Sequence, residues 1–199
     1  KRYLVKLAAA GVPITPTVVV EPGTGAAFPP GEFVVKPAVG AGSREVASYS
    51  PDQQAAASEH LARLHAAGQV ALVQPYLASV ATEGEWPVVF LGGSFSHAAN
   101  KRIALPRAGR VEGLFAEEAN TAHQATPEQL EVADAAMRVV TERLGAPTYA
   151  RVDLVRDDAG RFCVLEVELV EPSLFLQYAG AAAVDRFVAA LLREDRGAV

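Results

Sequence analysis

A predicted β-hairpin near the end of the chain, residues 149–170, gathers charged side chains on one face. Residues two apart on a strand point to the same side of a sheet. The charged face comprises one guanidinium and three carboxylates: Arg151, Asp153, Glu166 and Glu168. Neighbouring carboxylates repel one another, and a divalent cation such as Mg²⁺, which prefers oxygen ligands, would remove that cost. The pattern therefore indicates a metal site, and the alternative is a polar sheet face exposed to solvent.

The position of the turn predicts the register of this hairpin. With the turn centred between Asp158 and Ala159, Arg151 is expected opposite Glu166, and Asp153 opposite Val164. The other face is then apolar and is expected to join the core; it comprises Ala150, Val152, Leu154, Cys163, Leu165 and Val167. Because a shift of one residue moves every side chain to the wrong face, the structure tests this pairing directly.

A second candidate segment is the apolar strand 33–36, which ends in Lys36 and is followed by the glycine-rich turn 40–43. Glycines let backbone N–H groups approach phosphate oxygens, and a lysine supplies a point charge. The spacing fits neither the P-loop nor the dinucleotide-binding fingerprint. Taken alone, the segment is either a phosphate contact or a plain turn whose lysine reaches solvent.

The four histidines show neither zinc-site spacing nor the arrangement of a nucleophilic triad. His60 and His65 lie five residues apart on a predicted helix, and His97 and His123 are isolated. We therefore interpret all four as surface or packed side chains.

The elements that must position these groups alternate between helices and hairpins. Helices are predicted over 1–10, 51–67, 126–144 and 183–193, and strands over 17–20, 33–36, 70–74, 86–91, 94–99, 149–156 and 161–170. Residues 105–125 are polar and irregular and are predicted to form a loop. Hairpins outnumber strand–helix–strand units, which predicts an α+β class with antiparallel sheets.

Composition excludes several classes of protein. The chain has 199 residues, of which 50% are hydrophobic, and a formal net charge of −5, which argues against disorder and against a nucleic-acid or anionic-membrane surface. A single cysteine and the lack of a membrane-span pattern favour a cytoplasmic protein. The chain also starts at Lys1, without an initiator Met and inside a predicted helix, so we expect it to be part of a longer protein.

Taken in order, these features resemble the ATP-grasp superfamily of carboxylate–amine ligases, including the glutathione-synthetase, ribosomal-modification-ligase and D-alanine–D-alanine-ligase branches. The matching order is a lysine at the first helix, the Lys36 strand with its glycine turn, a hinge at 74–77, the acidic Glu85, and the carboxylate hairpin. The resemblance covers nearly the whole chain. It implies an ATP-grasp fold in which two lobes with antiparallel sheets clasp a nucleotide.

The resemblance implies a role for each matching position. ATP is expected to contact Lys1, Lys36, Gly40, Gly42, Ser43, Gln74, Tyr76, Leu77 and Glu85, with Glu85 as the ribose-binding acid. The catalytic groups are expected to be Arg151, which steadies the acyl-phosphate or the developing oxyanion, and Lys101 or Arg102, which faces the transferred phosphate. The metal positions match Asp153, Glu166 and Glu168, which would hold Mg²⁺, with Mn²⁺ as an alternative.

Two departures from the family pattern stand out. The last metal position is usually Asn and is Glu168 here, which adds negative charge. The family also has an N-terminal domain that supplies part of the acceptor site, and we expect it to precede Lys1 in the same protein. The chain is then divided into a linker helix and entry to the core (1–20), a small lobe (21–76) and a large lobe (77–199).

The resemblance implies a ligase that uses ATP to phosphorylate a substrate carboxylate and joins the product to an amine, releasing ADP and phosphate. The substrates are expected to be amino-acid-like small molecules, and a homodimer is possible. Three alternatives stay open. One is ring closure within a single molecule, as in the D-cycloserine-forming ligases; another is a non-catalytic ATP-binding module; the third is a structural α+β domain.

Overall fold

Two antiparallel sheets organise the protein. The computed structural model describes residues 1–40, 44–103 and 118–194. The first sheet has the order β1-β4-β2-β3 and comprises β1 (Val18–Val20), β2 (Phe33–Pro37), β3 (Ala47–Tyr49) and β4 (Ala71–Pro75). The second has the order β7-β6-β5-β8-β9 and comprises β5 (Trp86–Leu91), β6 (Ser94–Ile103), β7 (Glu118–His123), β8 (Tyr149–Arg156) and β9 (Phe162–Glu168). The predicted α+β class with antiparallel sheets is confirmed.

In the described part of the chain, five α-helices accompany the sheets: α1 (Tyr3–Ala9), α2 (Gln54–Ala66), α3 (Ala78–Thr82), α4 (Pro127–Leu144) and α5 (Ala181–Glu194). Thr126 caps the start of α4. The Thr126 hydroxyl accepts a hydrogen bond from the Gln129 N–H at 3.3 Å, and the Gln129 side chain accepts one from the Thr126 N–H at 2.9 Å. None of the helices in the described ranges is long and apolar enough to cross a bilayer.

Each sheet has its own hydrophobic core. Helix α2 covers the first sheet, and its Leu61 and Leu64 pack among buried residues that include Phe33, Val35 and Val73. The second core combines α1, α4 and one face of the second sheet; it includes Leu4, Leu7, Val88, Phe90, Met137, Val152, Leu154 and Val164. The groove between these two cores is where the charged residues of the sequence converge.

The predicted register of the β8–β9 hairpin is wrong by two residues near the charged face. Arg151 lies opposite Glu168, and Asp153 lies opposite Glu166. The loop is centred on Ala159 and ends at Gly160, whose φ of +77° is the left-handed conformation that a three-residue hairpin loop requires. An irregularity beyond Asp153 then adds one more residue to β9.

A shift of two residues preserves the face of each charged side chain, so the predicted grouping of the three carboxylates with Arg151 is correct. Within β9, the residues between the bulge and the turn lie on the face opposite to the predicted one. Cys163 and Leu165, which were predicted to join the main core, instead form a small cluster with Leu77 and Val155. Phe162 and Val164 take their place in the main core.

Three short elements escaped the sequence prediction: β3, α3 and β7. The first two have three and five residues, too few for a periodic pattern to develop. Strand β7 lies within the predicted loop 105–125, of which residues 104–117 are outside the described ranges. It is a polar, largely exposed edge strand, so it lacks the apolar alternation that identifies a half-buried strand.

Candidate functional site

Charged side chains from both sheets meet in the groove between them. Four are cations and four are carboxylates: Lys1, Lys36, Lys101 and Arg151, and Glu85, Asp153, Glu166 and Glu168. All eight are buried or half-buried. Charges withdrawn from water at this density must be paired or must await a charged ligand.

Arg151 and Asp153, two residues apart on β8, form the innermost pair. The Arg151 Nε and Nη2 atoms donate to the two Asp153 carboxylate oxygens at 2.7 and 2.8 Å. Arg151 Nη2 also lies 2.8 Å from Glu168 Oε2. Burial opposes ionisation of Asp153, but the charges of Arg151 and Lys101 outweigh it and hold the pKa of that carboxyl below its usual value.

Lys101 and Glu85 form a second buried pair. Their backbones exchange two hydrogen bonds of 2.7 and 2.8 Å, and the Lys101 ammonium lies 2.6 Å from Glu85 Oε2 and 3.6 Å from Asp153 Oδ2. Burial disfavours the charge on Lys101, but the two carboxylates raise the pKa of Lys101 above its ordinary value. Glu85, which is predicted to bind the ribose, is therefore also the counterion of Lys101.

The approach of these two strands depends on Gly84. Its φ is +87°, and a Cβ at this position would lie 2.6 Å from the Lys101 carbonyl oxygen. No residue with a side chain fits there without a shift of backbone. The next residue on β6, Arg102, is exposed, so the structure brings Lys101 rather than Arg102 into the groove.

Lys1 connects the carboxylate hairpin to the turn after β2. Its Nζ lies 2.8 Å from Glu166 Oε1 and donates to the Gly40 carbonyl at 3.0 Å. Gly40 thus lies at the groove, whereas Gly42 and Ser43 lie outside the described residues.

Lys36 differs from the other cations of the groove, because within the described residues it has neither an ion pair nor a hydrogen bond. Its side chain projects from β2 and the residue is 7% exposed. Burial lowers the pKa of Lys36 to about 8; the charge of Glu166 opposes that shift and the charge of Lys1 adds to it. A buried ammonium with no partner is stabilised by an anionic ligand such as a phosphate.

A narrow pocket of about 50 Å³ lies beside Lys36. Three further predicted ATP contacts, Gln74, Tyr76 and Leu77, line it together with residues that sequence reasoning did not identify: Thr15, Val34, Pro75, Val80 and Leu165. Leu165 reaches this pocket only because of the bulge in β9. Nothing local in the sequence signals that position.

The hinge offers a free hydrogen-bonding edge at the pocket. The Tyr76 N–H donates to the Glu32 carbonyl at 2.8 Å, and the Gln74 amide donates to Thr17 Oγ1 at 2.7 Å. In the described ranges, the Tyr76 carbonyl and the Leu77 N–H have no such backbone partner. One acceptor followed by one donor matches the amine and ring nitrogen of an adenine.

A larger cavity of about 750 Å³ opens on the other side of the carboxylates. Lys1, Glu166 and Glu168 form one charged end of it, and the rest of its wall comes from α1, α4, the end of β9 and the turn after β2; this wall is mostly apolar but includes Lys6 and Arg143. Its position next to the predicted metal residues makes it the space in which a second ligand could meet a nucleotide.

The described residues contain no group of three or more His, Cys, Asp or Glu side chains placed to hold a metal ion together. Mg²⁺, however, is usually held by one or two carboxylates together with substrate phosphates and water. Glu166 and Asp153 oppose each other across β8 and β9, so this donor set fits such an ion. The assignment of Asp153, Glu166 and Glu168 as metal ligands stays a prediction.

Two solved structures with low sequence identity to this chain share its fold. The ATP-grasp ligase PsnB, in a structure with minimal precursor, Mg and ADP, matches with a TM-score of 0.59 and 19% identity over 94% of this chain and 56% of that one. D-alanine–D-alanine ligase from Bacillus anthracis complexed with ATP matches with a TM-score of 0.67 and 19% identity over 99% of this chain and 67% of that one. No protein-family model matches the sequence.

A nearer relative is the cycloserine biosynthesis protein DcsG of Streptomyces lavendulae. It is 41% identical over an alignment of 204 positions, which covers 96% of this chain and 68% of that protein. The crystal structure of D-cycloserine synthetase DcsG superimposes with a TM-score of 0.88 and 38% identity, over 98% of this chain and 69% of that one. The chain belongs to the ATP-grasp ligases.

As an ATP-grasp ligase, the protein is an ATP-dependent carbon–nitrogen ligase that joins a carboxylate to an amine on amino-acid-like small molecules. The resemblance stated from the sequence is therefore confirmed, as is the ATP-grasp fold. ATP and Mg²⁺ are the ligands found with this fold in the PsnB and D-alanine–D-alanine ligase structures.

Proposed function

We propose that this ATP-grasp ligase closes a ring within one molecule, joining the carboxylate of an amino-acid derivative to a nitrogen that the same molecule carries. The observation that carries the proposal is the 41% identity to a cycloserine biosynthesis protein over 96% of the chain. D-cycloserine is a cyclic amide whose ring nitrogen is bonded to oxygen. The substrate class is therefore an amino acid with an oxygen-linked nitrogen on its side chain.

The nucleotide is proposed to lie in the groove, with its adenine in the pocket at the hinge. The Leu77 N–H and the Tyr76 carbonyl meet the adenine edge, and Glu85 meets the ribose. Lys36 and Lys1 contact the phosphates, with Gly40 beside Lys1. The Lys36 ammonium lies beside this pocket and has no ion pair with any residue that the structure describes, which supports this placement.

In the first chemical step, an oxygen of the substrate carboxylate attacks the γ-phosphorus of ATP. The bond from that phosphorus to the bridging oxygen breaks, ADP leaves, and an acyl-phosphate forms. This step needs mainly positioning and neutralisation of charge. Lys101 is proposed to face the transferred phosphoryl group; its ion pairs with Glu85 and Asp153, which hold the ammonium in position, support this role.

In the second step, the lone pair of the nitrogen attacks the carbonyl carbon, the bond to the phosphate oxygen breaks, and the nitrogen releases one proton to solvent. Arg151 steadies the oxyanion that develops on the carbonyl oxygen. Because nucleophile and electrophile belong to one molecule, the reaction gains the large advantage of intramolecular geometry.

Asp153, Glu166 and Glu168 are proposed to hold Mg²⁺, with Mn²⁺ as a substitute. When bound there, the ion would neutralise charge on the phosphates and relieve the mutual repulsion of the carboxylates. Its removal with a chelator should abolish turnover.

Product analysis by mass spectrometry tests the proposal. The probe is β-aminooxy-D-alanine, the amino acid obtained by opening the carbon–nitrogen bond of the D-cycloserine ring. We expect ADP release with this single substrate and a product one water lighter that co-elutes with D-cycloserine. Glu166→Ala should abolish the reaction, and Glu142→Ala, an exposed carboxylate on α4, is the matched control.

Intermolecular ligation is the second candidate, favoured by the TM-score of 0.67 with a D-alanine–D-alanine ligase. It predicts ADP release only when a separate amine is added, and a product whose mass is the sum of two substrates less one water. That result would overturn ring closure.

A non-catalytic ATP-binding module predicts thermal stabilisation by MgATP without any release of ADP. Size-exclusion chromatography with light scattering tests the predicted homodimer.

A further inference from the structure

The segment that follows β9 crosses over the guanidinium of Arg151. This segment, residues 171–175, is called here the Arg151 strap. Two of its residues, Glu171 and Phe175, have positive φ values of 51° and 52° without being glycine. Such left-handed backbone costs free energy and persists only where surrounding contacts impose it.

The strap touches Arg151 at two points. Arg151 Nη1 donates to the Ser173 carbonyl at 3.2 Å, and the guanidinium lies over the Phe175 ring with 5.6 Å between the Arg151 Cζ atom and the ring centroid. Phe175 is 2% exposed, so the ring is fixed by its surroundings. A cation over an aromatic face is attracted to it, more strongly where water is excluded.

These contacts leave Arg151 little freedom. Its Nε–H and one Nη2–H bind Asp153, Nη2 also meets Glu168, and one Nη1–H binds the strap. Within the described ranges, Nη2 lies against two carboxylates, whereas the second N–H of Nη1 has neither a hydrogen bond nor an ion pair to the protein. The strap therefore sets which hydrogen of the guanidinium is available to a reacting group.

His97 on β6 holds the strap from the far side. Its Nε2 lies 2.6 Å from the Leu174 carbonyl, which can only accept, so Nε2 bears the proton. Nδ1 is then an acceptor for the Ser96 hydroxyl at 2.9 Å, and that hydroxyl accepts from Arg186 Nε of α5 at 3.0 Å. The hydrogen bonds run in one direction, from Arg186 through Ser96 and His97 to the strap.

We infer that His97 is a positioning residue of the ligase, which fixes the Arg151 strap and thereby directs the free Nη1–H of Arg151 at the developing oxyanion. The inference rests on the proposed role of Arg151. His97 touches neither nucleotide nor metal residues; its effect on the reaction passes through Leu174, Ser173 and Arg151. A displaced guanidinium weakens transition-state stabilisation but leaves nucleotide binding intact.

The test compares His97→Phe with His97→Gln, using MgATP and β-aminooxy-D-alanine. The phenyl ring removes the donor to Leu174, whereas the glutamine amide nitrogen can reach nearly the position of Nε2. We expect His97→Phe to lower kcat about 10- to 100-fold with an unchanged KM for ATP. His97→Gln should restore kcat to within about threefold of wild type.

Two results separate failure of this inference from failure of the proposed function. If Arg151→Met abolishes turnover while His97→Phe keeps the wild-type kcat, the positioning role is overturned and the proposed function stands. If Arg151→Met is fully active, the role of Arg151 and this inference both fall, although ring closure by the wild type would still stand.

A measurement on the unmutated protein covers the case in which His97→Phe does not fold. Long-range ¹H–¹⁵N spectra distinguish the two neutral histidine tautomers, and His97→Gln assigns the resonance among the four histidines of the chain. We expect the Nε2–H tautomer at pH 7. An Nδ1–H tautomer would contradict the hydrogen bond to Leu174 and overturn the inference.

Discussion

Burial makes the protonation of Lys36 depend on whether an anionic ligand is bound beside it. With no partner in the described ranges and a pKa lowered to about 8 by burial, its ammonium loses its proton in mildly alkaline solution. A phosphate beside it would restore the charge, so binding of the nucleotide takes up a proton there.

The titration of Lys36 should be visible in the affinity for ATP. Above pH 8 the free enzyme progressively holds Lys36 neutral, so we expect the KM for ATP to rise by up to about tenfold per pH unit between pH 8 and 10. Lys36→Arg keeps its charge and should give a KM that is higher overall but flat in pH. Initial-rate kinetics over this range check both; a wild-type KM that does not change up to pH 10 would contradict the assignment.

Residues of the site differ in how far the sequence could reveal them. Lys36 and the three hairpin carboxylates follow from motif order and strand alternation, which are local signals. His97 could not be identified, because the Leu174 carbonyl that fixes its proton on Nε2 is 77 positions away in the sequence. In the sequence alone, nothing distinguishes it from an ordinary packed histidine.

At the scale of elements, the Lys101–Glu85 pair depends on the backbone approach at Gly84. In Gly84→Ala, the alanine would have to adopt a φ of +87°, and its Cβ would lie 2.6 Å from the Lys101 carbonyl oxygen. Gly160→Ala has a similar φ of +77° and nothing within 4 Å, so it is the matched control.

We predict that Gly160→Ala costs about 1–2 kcal/mol of unfolding free energy and leaves activity unchanged. Gly84→Ala should cost at least about twice as much and lower kcat, because Lys101 must move. Chemical denaturation and ADP-release rates measure these effects. Equal losses of stability in the two variants would mean that the steric contact at Gly84 is unimportant.

Helix α1 holds the edge strand β9 through one hydroxyl group. The Tyr3 hydroxyl donates to the Val167 carbonyl at 2.7 Å and accepts from the Val167 N–H at 2.8 Å. Val167 lies between Glu166 and Glu168, so the same contact fixes the backbone of two predicted metal residues.

Tyr3→Phe is therefore predicted to lower stability by about 1–3 kcal/mol, since two backbone groups lose their partner. It should also raise the Mg²⁺ concentration that gives the half-maximal turnover rate by about tenfold. Tyr178→Phe, which has no hydroxyl bond among the described residues, is the control. An unchanged Mg²⁺ requirement would show that Tyr3 only stabilises the fold.

The hairpin β8–β9 explains which parts of the fold the sequence could predict. Alternation over 149–156 identifies the strand and the charged face, since both depend on local spacing. The register depends on a loop conformation and a bulge, and each displaced the predicted pairing by one residue. The short elements β3 and α3 are imposed by tertiary contacts, not by their own sequences.

At the scale of the whole molecule, the groove is close to electrically neutral. Four cations face four carboxylates, so a polyanionic nucleotide finds no large excess of positive charge waiting for it. Most of its charge must be neutralised by ions that enter with it.

We therefore predict that MgATP stabilises the protein much more than ATP in excess EDTA. At about 100 times the Kd, binding adds about 2.7 kcal/mol, or a rise in Tm of about 5–10 °C for a chain of this size. Differential scanning fluorimetry measures the shift, with Lys36→Gln as the variant that should reduce it. Equal stabilisation with and without Mg²⁺ would contradict the charge balance described above.

The bulge in β9 has a practical consequence, because it turns the one thiol of the chain towards the proposed nucleotide pocket. Cys163 is 3% exposed and packs in a cluster with Leu77 and Leu165, which also line that pocket, and burial raises the pKa of its thiol to about 11. In the native state it is shielded from alkylating reagents; when the cluster opens, it reacts. Its labelling rate therefore measures local opening of this cluster beside the proposed adenine pocket, without any engineered probe.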